Sequence, residues 1–98
     1  MEIENPSDTG FTIYSKSGCP NCLKVKAFLN EKKIKFKLIN SDENLIEDKE
    51  TFLIYITQIA KKEVRTFPIV FIDKEFIGGY NETVKFVNEG ILAFDETF

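Results

Sequence analysis

The feature that most constrains this fold is a pair of cysteines between a strand pattern and a helix pattern. Cys19 and Cys22 are the only cysteines of the chain, and two residues separate them. The preceding run Phe11-Thr12-Ile13-Tyr14 is apolar and β-prone, which predicts a buried strand. Pro20 suits the first turn of a helix. Apolar residues then recur at helical spacing, at Cys22, Val25, Phe28 and Leu29. The segment therefore predicts a tight turn and a helix that begins at Cys19.

A cysteine at the N-terminus of a helix is well placed for thiolate chemistry. Unpaired backbone N–H groups and the helix dipole favour negative charge there, and Lys16 lies three residues before Cys19. Both influences favour the thiolate, which is the nucleophilic form of cysteine. Cys22 is one turn further along the helix and is expected to be more buried. The arrangement predicts that Cys19 attacks a substrate disulfide and that Cys22 resolves the mixed disulfide.

Three other interpretations of the cysteine pair compete with redox chemistry. A structural zinc site needs about four Cys or His ligands, and this chain has two Cys and no His. A metal cluster shared between chains stays open, because one thiolate from each subunit and external thiols could supply its ligands. A pair of small buried side chains without chemistry is a further alternative. Dithiol redox chemistry is favoured, since a Cys-x-x-Cys pair beside a βαβ pattern is typical of it.

Composition narrows the class of protein further. A length of 98 residues corresponds to one domain, and a net charge of −3 gives no support for nucleic-acid binding. The polar residues 1–10 predict a loose N-terminal arm, so the single domain is expected to span residues 11–98. The sequence shows no signal-peptide pattern and no apolar stretch of ~20 residues. We therefore expect a soluble cytoplasmic protein that does not bind membranes.

The rest of the chain alternates between strand and helix patterns. The elements predicted after the first helix are a strand over 34–39, a helix over about 46–62, strands over 69–72 and 75–77, and a helix over about 81–88. Gly90 is expected to cap the last helix, and residues 91–98 to add one turn or fray. The order β-α-β-α-β-β-α predicts an α/β protein with a mixed sheet and helices on both faces.

Two segments outside the cysteine turn add to the pattern. Thr66-Phe67-Pro68 opens the third strand with a proline, and Gly78-Gly79 ends the fourth strand just before the last helix. Each is weak alone, because proline is ordinary at the start of a strand and glycine at its end requires only a permissive backbone. Glycines before a helix can also let a carboxylate approach backbone N–H groups.

Together these segments resemble the motifs of the glutaredoxin family. Lys16-Ser17-Gly18-Cys19-Pro20-Asn21-Cys22 is similar to the dithiol active site of that family and not to the single-cysteine type. Arg65-Thr66-Phe67-Pro68 is similar to the segment that holds the family's cis-proline, and Gly78-Gly79-Tyr80-Asn81-Glu82 to its Gly-Gly stretch. The resemblance runs from about residue 11 to residue 90. It implies a thioredoxin-like fold with a four-stranded mixed sheet in the order 2-1-3-4.

The resemblance also implies glutathione as co-substrate and roles for individual residues. Cys19 would be the nucleophile and Cys22 the resolving thiol. Lys16 and Arg65 would approach the glutathione carboxylates, and Phe67 would pair its backbone with the glutathionyl cysteine. The start of the last helix would bound the γ-glutamyl end. The glutathione-binding residues so implied are Lys16, Arg65, Thr66, Phe67, Pro68, Gly79, Asn81 and Glu82.

The chain departs from the family pattern at several positions. Asn21 stands where the family commonly has Tyr, so a ring that would stack on the mixed disulfide is lost. Phe67 replaces a usual Val, which narrows the groove but leaves the backbone pairing. Asn81 and Glu82 stand where Asp is common. A Gln or Arg of the second helix often contacts glutathione in the family, and Gln58 is close to that place in this sequence.

The sequence therefore predicts a glutathione-dependent thiol–disulfide oxidoreductase that acts on protein disulfides and on glutathionylated proteins. It is expected to be a monomer without bound metal. The alternatives are an electron donor to ribonucleotide reductase fed by thioredoxin reductase, an iron–sulfur carrier bridged through Cys19 and glutathione, and a non-catalytic interaction module. Pro20 argues against the cluster carrier, because cluster-binding relatives usually have a less rigid residue there.

Overall fold

Within residues 2–89, the part of the chain that the structure describes, four strands and three helices follow the predicted order. The structure is a computed structural model. Its elements are β1 (Phe11–Ser15), α1 (Pro20–Glu31), β2 (Phe36–Asn40), α2 (Asp42–Ala60), β3 (Ile69–Ile72), β4 (Glu75–Gly78) and α3 (Tyr80–Glu89). The cap predicted at Gly90 and the predicted last turn over 91–98 lie outside the described residues. None of the helices in residues 2–89 is both long and apolar enough to cross a membrane.

The four strands form one mixed sheet in the order β2-β1-β3-β4. β1 runs parallel to β2 and antiparallel to β3, and β4 returns antiparallel to β3. The pairing aligns Ile13 of β1 with Leu38 on one side and with Val70 on the other. This sheet confirms the α/β fold and the strand order expected from the sequence.

Strand β1 supplies side chains to a core on each face of the sheet. Successive side chains of a strand point to opposite faces. Phe11 and Ile13 therefore join a core that includes residues of α1 and α3, whereas Tyr14 joins a core built on α2. All five residues of β1 are buried. Helices thus cover both faces, as the sequence predicted, and β1 is held between two apolar layers.

Helix α2 differs from its prediction at its first turn and in its continuity. It begins at Asp42 and not near Ile46, because the polar residues that indicated a turn place acidic side chains at the positive end of the helix dipole. Asp48 interrupts it with φ −163° and ψ 88°. The Asp48 carboxylate accepts hydrogen bonds from the N–H of Thr51 at 3.1 Å and from its hydroxyl at 2.8 Å. Asp48 therefore acts as an N-cap for the second part of the helix.

Strand β2 is shorter than predicted because the end of α1 retains the first residues of the expected strand. The sequence placed the strand over 34–39, whereas pairing begins at Phe36. The N–H of Ile34 donates to the carbonyl of Leu29 at 2.9 Å, and Lys33 adopts a left-handed conformation with φ 61°. This helix-ending geometry holds Ile34 on α1, so the ladder starts two residues later.

Residues 2–10 form no helix or strand, yet several of them contact the domain. The hydroxyl of Tyr14 donates a hydrogen bond to the carbonyl oxygen of Glu4 at 2.6 Å. The Glu4 carboxylate lies 2.7 Å from Nζ of Lys37, and Ile3 packs against the core on the α2 side. Burial raises the pKa of Tyr14, and Tyr55 and Glu4 raise it further, so the phenol remains a neutral donor. The domain boundary after residue 10 stays a prediction.

Replacing Tyr14 with Phe tests whether this hydroxyl stabilises the packed arm. The substitution leaves the Glu4 carbonyl without its donor, so we expect the free energy of unfolding to fall by about 0.5–1.5 kcal/mol. Urea unfolding measures the fall, and amide hydrogen exchange should accelerate in residues 2–10. Tyr80→Phe is a matched control, because the Tyr80 hydroxyl makes no hydrogen bond within residues 2–89. Equal unfolding free energies for the two variants would contradict the role given to Tyr14.

Candidate active site

The turn between β1 and α1 places Cys19 at the N-terminus of a helix. Gly18 has φ 69°, a left-handed conformation that glycine adopts without steric cost. Cys19 follows with extended backbone as the N-cap of α1, and Pro20 occupies the first helical turn. The N–H of Cys22 points at Sγ of Cys19 at 3.2 Å. The predicted strand, turn and helix around the cysteine pair are therefore present.

Cys19 and Cys22 are joined by a disulfide in this structure, with their Cα atoms 5.2 Å apart. Cys19 is 8% exposed and Cys22 is 1% exposed. Cys19 is thus the more exposed residue of the pair, as the sequence predicted. The structure describes the oxidised form of the pair.

Asp42 at the start of α2 holds the turn that precedes Cys19. Its carboxylate accepts a hydrogen bond from the Ser17 hydroxyl at 2.5 Å and another from the Ser17 N–H at 2.8 Å. Hydrogen bonds to the ionised form favour that form. The Ser17 hydroxyl, followed by the Ser17 N–H, therefore lowers the pKa of Asp42 below its usual range. The contact connects two segments that are 25 residues apart in sequence.

Phe67 and Pro68 lie opposite the cysteine turn and are joined by a cis peptide bond. The Phe67 ring stacks on Phe52 of α2, with ring centroids 6.1 Å apart and planes inclined by 10°. The ammonium of Lys16 lies 5.9 Å from the centroid of the same Phe67 ring. A cation over an aromatic face is attracted by the ring quadrupole. The Phe that departs from the family's usual Val therefore packs on the core and places Lys16 at the site.

Gly78 and Gly79 bring the start of α3 close to Pro68. A Cβ on Gly78, which has φ 129°, would lie 2.5 Å from Cγ of Glu82, and a Cβ on Gly79 would lie 3.4 Å from the Pro68 carbonyl oxygen. The N–H of Gly79 donates to the Glu82 carboxylate at 2.9 Å, and Thr83 bonds back to the Gly79 carbonyl. Glu82 therefore serves as the acidic member of a capping box. Its carboxylate folds back onto the backbone N–H of Gly79, at the start of α3.

A cavity of about 560 Å³ opens beside Cys19. Its lining is Lys16, Gly18, Cys19, Pro20, Asn21, Leu45, Lys49, Leu53, Arg65, Thr66 and Phe67. It brings five of the predicted site residues together, namely Lys16, Cys19, Arg65, Thr66 and Phe67. Of residues 2–89, three with a cationic side chain and none with a carboxylate line this space.

The other predicted residues lie around this cavity. Pro68, Gly79 and Glu82 line an adjoining depression that shares Arg65 and Thr66 with the cavity. Cys22 lines a third depression on the other side of the cysteine turn. Asn81 is exposed at the start of α3 and lines none of these three.

Lys49 is the site residue that sequence reasoning missed. It lines the cavity from α2 together with Leu45 and Leu53, whereas Gln58 lies in a separate depression that also reaches Arg65. Lys49 directly follows the break at Asp48. The available signal was the Asp48-x-x-Thr51 spacing, which marks a helix start inside the predicted helix.

The guanidinium of Arg65 lies 2.7 Å from Glu63, whose carboxylate raises the pKa of Arg65 through a hydrogen bond and its charge.

Within residues 2–89 no group of three or more His, Cys, Asp or Glu side chains is arranged to hold a metal ion.

Comparison with known proteins gives a consistent result. A family model for glutaredoxin matches residues 11–77. Glutaredoxin 1 of Rickettsia conorii is 34% identical over 80 residues, which cover 82% of this chain and 74% of the relative. The crystal structure of glutaredoxin 1 from Francisella tularensis complexed with cacodylate has a TM-score of 0.71 at 29% identity, and covers 85% of this chain and 95% of its own. The crystal structure of a buckwheat glutaredoxin–glutathione complex has a TM-score of 0.67 at 24% identity, and covers 86% and 73%.

The mixed sheet, the helix-capping cysteine and its partner define a thiol–disulfide oxidoreductase of thioredoxin-like fold. The chain belongs to the glutaredoxin family.

The hydrogen bonds from Ser17 to Asp42 predict a pH-dependent contribution to stability. Because the folded pKa of Asp42 is depressed, the contribution is present above the unfolded pKa of about 3.9 and is lost as the pH falls through the folded pKa. We expect Asp42→Asn to be less stable than the parent at pH 7, and the gap to shrink below about pH 4.

Urea unfolding of both proteins at pH 7 and pH 3 measures this gap. Ser17→Ala and the double variant complete a mutant cycle that isolates the bond from the Ser17 hydroxyl, because the Ser17 N–H bond and the effect of charge on the helix dipole are common to both arms. A gap that is equal at the two pH values would show that the carboxylate charge does not matter.

Proposed function

We propose that this protein is a glutathione-dependent oxidoreductase that reduces glutathionylated proteins and protein disulfides. The observation that carries the proposal is the cavity beside Cys19, whose lining within the described part of the chain includes Lys16, Lys49 and Arg65 and no acidic residue. Glutathione has two carboxylates and one ammonium group, so it is an anion at neutral pH. A cationic cavity beside a nucleophilic sulfur suits such a thiol.

The groups around the cavity suggest how glutathione would lie. Lys16 and Arg65 would receive its glycine carboxylate, with Lys49 as a further cation. The backbone of Phe67, before Pro68, would pair with the glutathionyl cysteine. The γ-glutamyl carboxylate would lie at the start of α3, where the first N–H groups of a helix favour an anion. The N–H of Gly79 already donates to the Glu82 carboxylate. The γ-glutamyl carboxylate would therefore accept from the N–H groups that follow in that turn, which include those of Asn81 and Glu82.

The reaction follows from thiol–disulfide exchange. The Cys19 thiolate attacks the glutathionyl sulfur of a mixed disulfide, the S–S bond breaks, and the protein sulfur leaves as a thiolate that takes a proton from water. A second glutathione thiolate then attacks the glutathionyl sulfur on Cys19, which releases glutathione disulfide and the Cys19 thiolate. With a protein disulfide, the Cys22 thiolate attacks the Cys19 mixed disulfide and forms the Cys19–Cys22 bond. Two glutathione molecules reduce that bond and leave as their own disulfide.

Single-cysteine variants test the two thiol roles. We expect Cys19→Ser to abolish turnover of the mixed disulfide of glutathione and 2-mercaptoethanol, and Cys22→Ser to retain much of it, because only Cys19 is needed for that substrate. Both variants should lose reduction of a protein disulfide. NADPH oxidation coupled through glutathione reductase measures the rates.

Two results of this assay would contradict the proposal. Equal losses in the two variants would contradict the separate thiol roles. Turnover supported by thioredoxin reductase but not by glutathione with glutathione reductase would contradict the glutathione dependence.

Arg65→Gln tests the cationic cavity. Because Arg65 is fully exposed, the loss of its ion contact should raise KM for the glutathione mixed disulfide only about fivefold. We expect kcat to remain near the parent value, because the contact would be equally strong in substrate and transition state. Glu63→Gln removes the carboxylate that now pairs with Arg65, so its KM should stay equal or fall. A rise in KM for Glu63→Gln instead would assign Arg65 a structural role.

A further inference from the structure

A second groove lies on the other side of the cysteine turn from the cationic cavity. It has a volume of about 480 Å³ and runs between α1 and the edge strand β2. Its lining is Ser15, Lys16, Ser17, Gly18, Cys19, Pro20, Cys22, Leu23, Lys26, Leu38 and Asn40. We call this the α1–β2 groove. None of the residues assigned to glutathione apart from Lys16 lines it, so the proposed site leaves most of it unused.

Two large apolar side chains are exposed in the α1–β2 groove. Leu23 is 65% exposed and Leu38 is 47% exposed. Only four large apolar side chains are exposed to this degree within residues 2–89, and these two lie in one groove. Burial of apolar surface is favourable by about 25 cal/mol per Å², so a ligand that covers these two side chains would gain binding free energy. Their clustering beside the reactive sulfurs therefore favours an apolar ligand group.

The polar groups of the groove select an acidic ligand. Among residues 2–89, Lys16 and Lys26 line it and no carboxylate does, while the Asp42 carboxylate is bonded to Ser17, one of the lining residues. Because the Lys16 ammonium lies over the ring of Phe67, which lines the cationic cavity, Lys26 is the cation left for a ligand of the groove. Lys26 forms no ion pair within residues 2–89. Oδ1 of Asn40 accepts a hydrogen bond from the N–H of Asp42 at 2.8 Å. The side-chain NH₂ group of Asn40 takes no part in that bond, so it can donate to a carbonyl oxygen of a ligand.

Both cysteines of the dithiol pair are among the residues that line the groove. Cys19 lines it and also the glutathione cavity, whereas Cys22 lines the groove but not that cavity. A ligand in the groove would therefore lie next to the bond that Cys22 has to attack. This position suits the polypeptide part of a mixed disulfide with Cys19.

We propose that the α1–β2 groove binds the substrate polypeptide, as an extended segment with a large apolar side chain and a carboxylate within a few residues of its disulfide-bonded cysteine. The apolar side chain packs on Leu23 and Leu38, and the carboxylate pairs with Lys26. The proposal extends the proposed function to the choice of protein substrate. It rests on the dithiol chemistry of that function but not on its use of glutathione.

The chemical step with such a substrate balances within the two proteins. The Cys19 thiolate attacks one sulfur of the substrate disulfide, and the other sulfur leaves as a thiolate and takes a proton from water. The Cys22 thiolate then attacks Sγ of Cys19, the substrate leaves as its second thiol, and the Cys19–Cys22 disulfide remains. The substrate disulfide is reduced by two electrons, and the enzyme dithiol is oxidised by two.

The test is a single turnover of the reduced full chain without glutathione. The substrates are a fluorescence-quenched disulfide dimer of a short peptide with Leu and Glu beside its Cys, the same dimer with Lys in place of Glu, and bis(2-hydroxyethyl) disulfide. The variants are Leu23→Ser, Leu38→Ser and Lys26→Glu. Ile54→Ser and Lys35→Glu are matched controls, because Ile54 is 55% exposed and both lie outside the groove.

We expect Lys26→Glu to lower the second-order rate constant for the Glu peptide about tenfold and to raise that for the Lys peptide. Leu23→Ser and Leu38→Ser should each lower both peptide rates about fivefold. The small disulfide should react at the parent rate with all five proteins, because it has no side chain to contact the groove.

Three outcomes would overturn the proposal. The first is peptide rates that are no lower in the groove variants than in the controls. The second is an equal loss with the small disulfide, which would mean that the groove residues shape the cysteine turn itself. The third is a parent dimer in sedimentation that Leu23→Ser dissociates, which would assign the groove to a second copy of the chain. Failure of glutathione dependence would leave these rates unchanged, so the two proposals fail separately.

Discussion

Burial of β1 on both faces is the constraint on which the rest of the structure depends. The strand lies between β2 and β3, and its alternating side chains enter both cores. The antiparallel register sets Tyr14 beside Ile69, so the Phe67-Pro68 bond at the start of β3 lies beside the end of β1. β4 is antiparallel to β3, and Gly78 pairs with Val70. Gly78 and Gly79 therefore lie at the same end of the sheet as Pro68. Three distant segments therefore meet at one end of the sheet.

That meeting divides the surface around Cys19 into two chemically distinct sides. On one side, Lys16, Lys49 and Arg65 create a cationic cavity, and the capping role of Glu82 keeps its carboxylate on α3. On the other side, the α1–β2 groove is apolar with a smaller excess of positive charge. Cys19 lines both sides, and Cys22 lines only the second. The division gives a physical basis for separate binding of a small anionic thiol and of a polypeptide.

Local patterns predicted most of the fold, and they were wrong where a tertiary or capping contact overrode propensity. Strand β2 was predicted too long, because alternation of side chains does not show that Ile34 stays bonded to Leu29. Helix α2 was predicted too late, because its acidic first turn resembles a loop. The glutathione-site roles remain predictions, but the placement of Lys16, Cys19, Arg65, Thr66 and Phe67 around one cavity is a property of the structure. Lys49 was not predicted at the site, because the helical pattern of α2 shows neither the break at Asp48 nor which side chains of the helix line the cavity.

The sequence alone determined the order of elements, the parallel first unit and the place of Cys19 at a helix start. These follow from the period of apolar residues, from glycine and proline chemistry, and from the spacing of two cysteines. Only the tertiary structure decided which charges face the sulfur and which side chains stay exposed beside it. Those outcomes depend on strand register, on a break inside α2 and on the hydrogen bonds of Asp42 with Ser17, which join residues far apart in the chain. Contacts of that kind leave no periodic trace in a sequence, because each depends on the geometry of a second element.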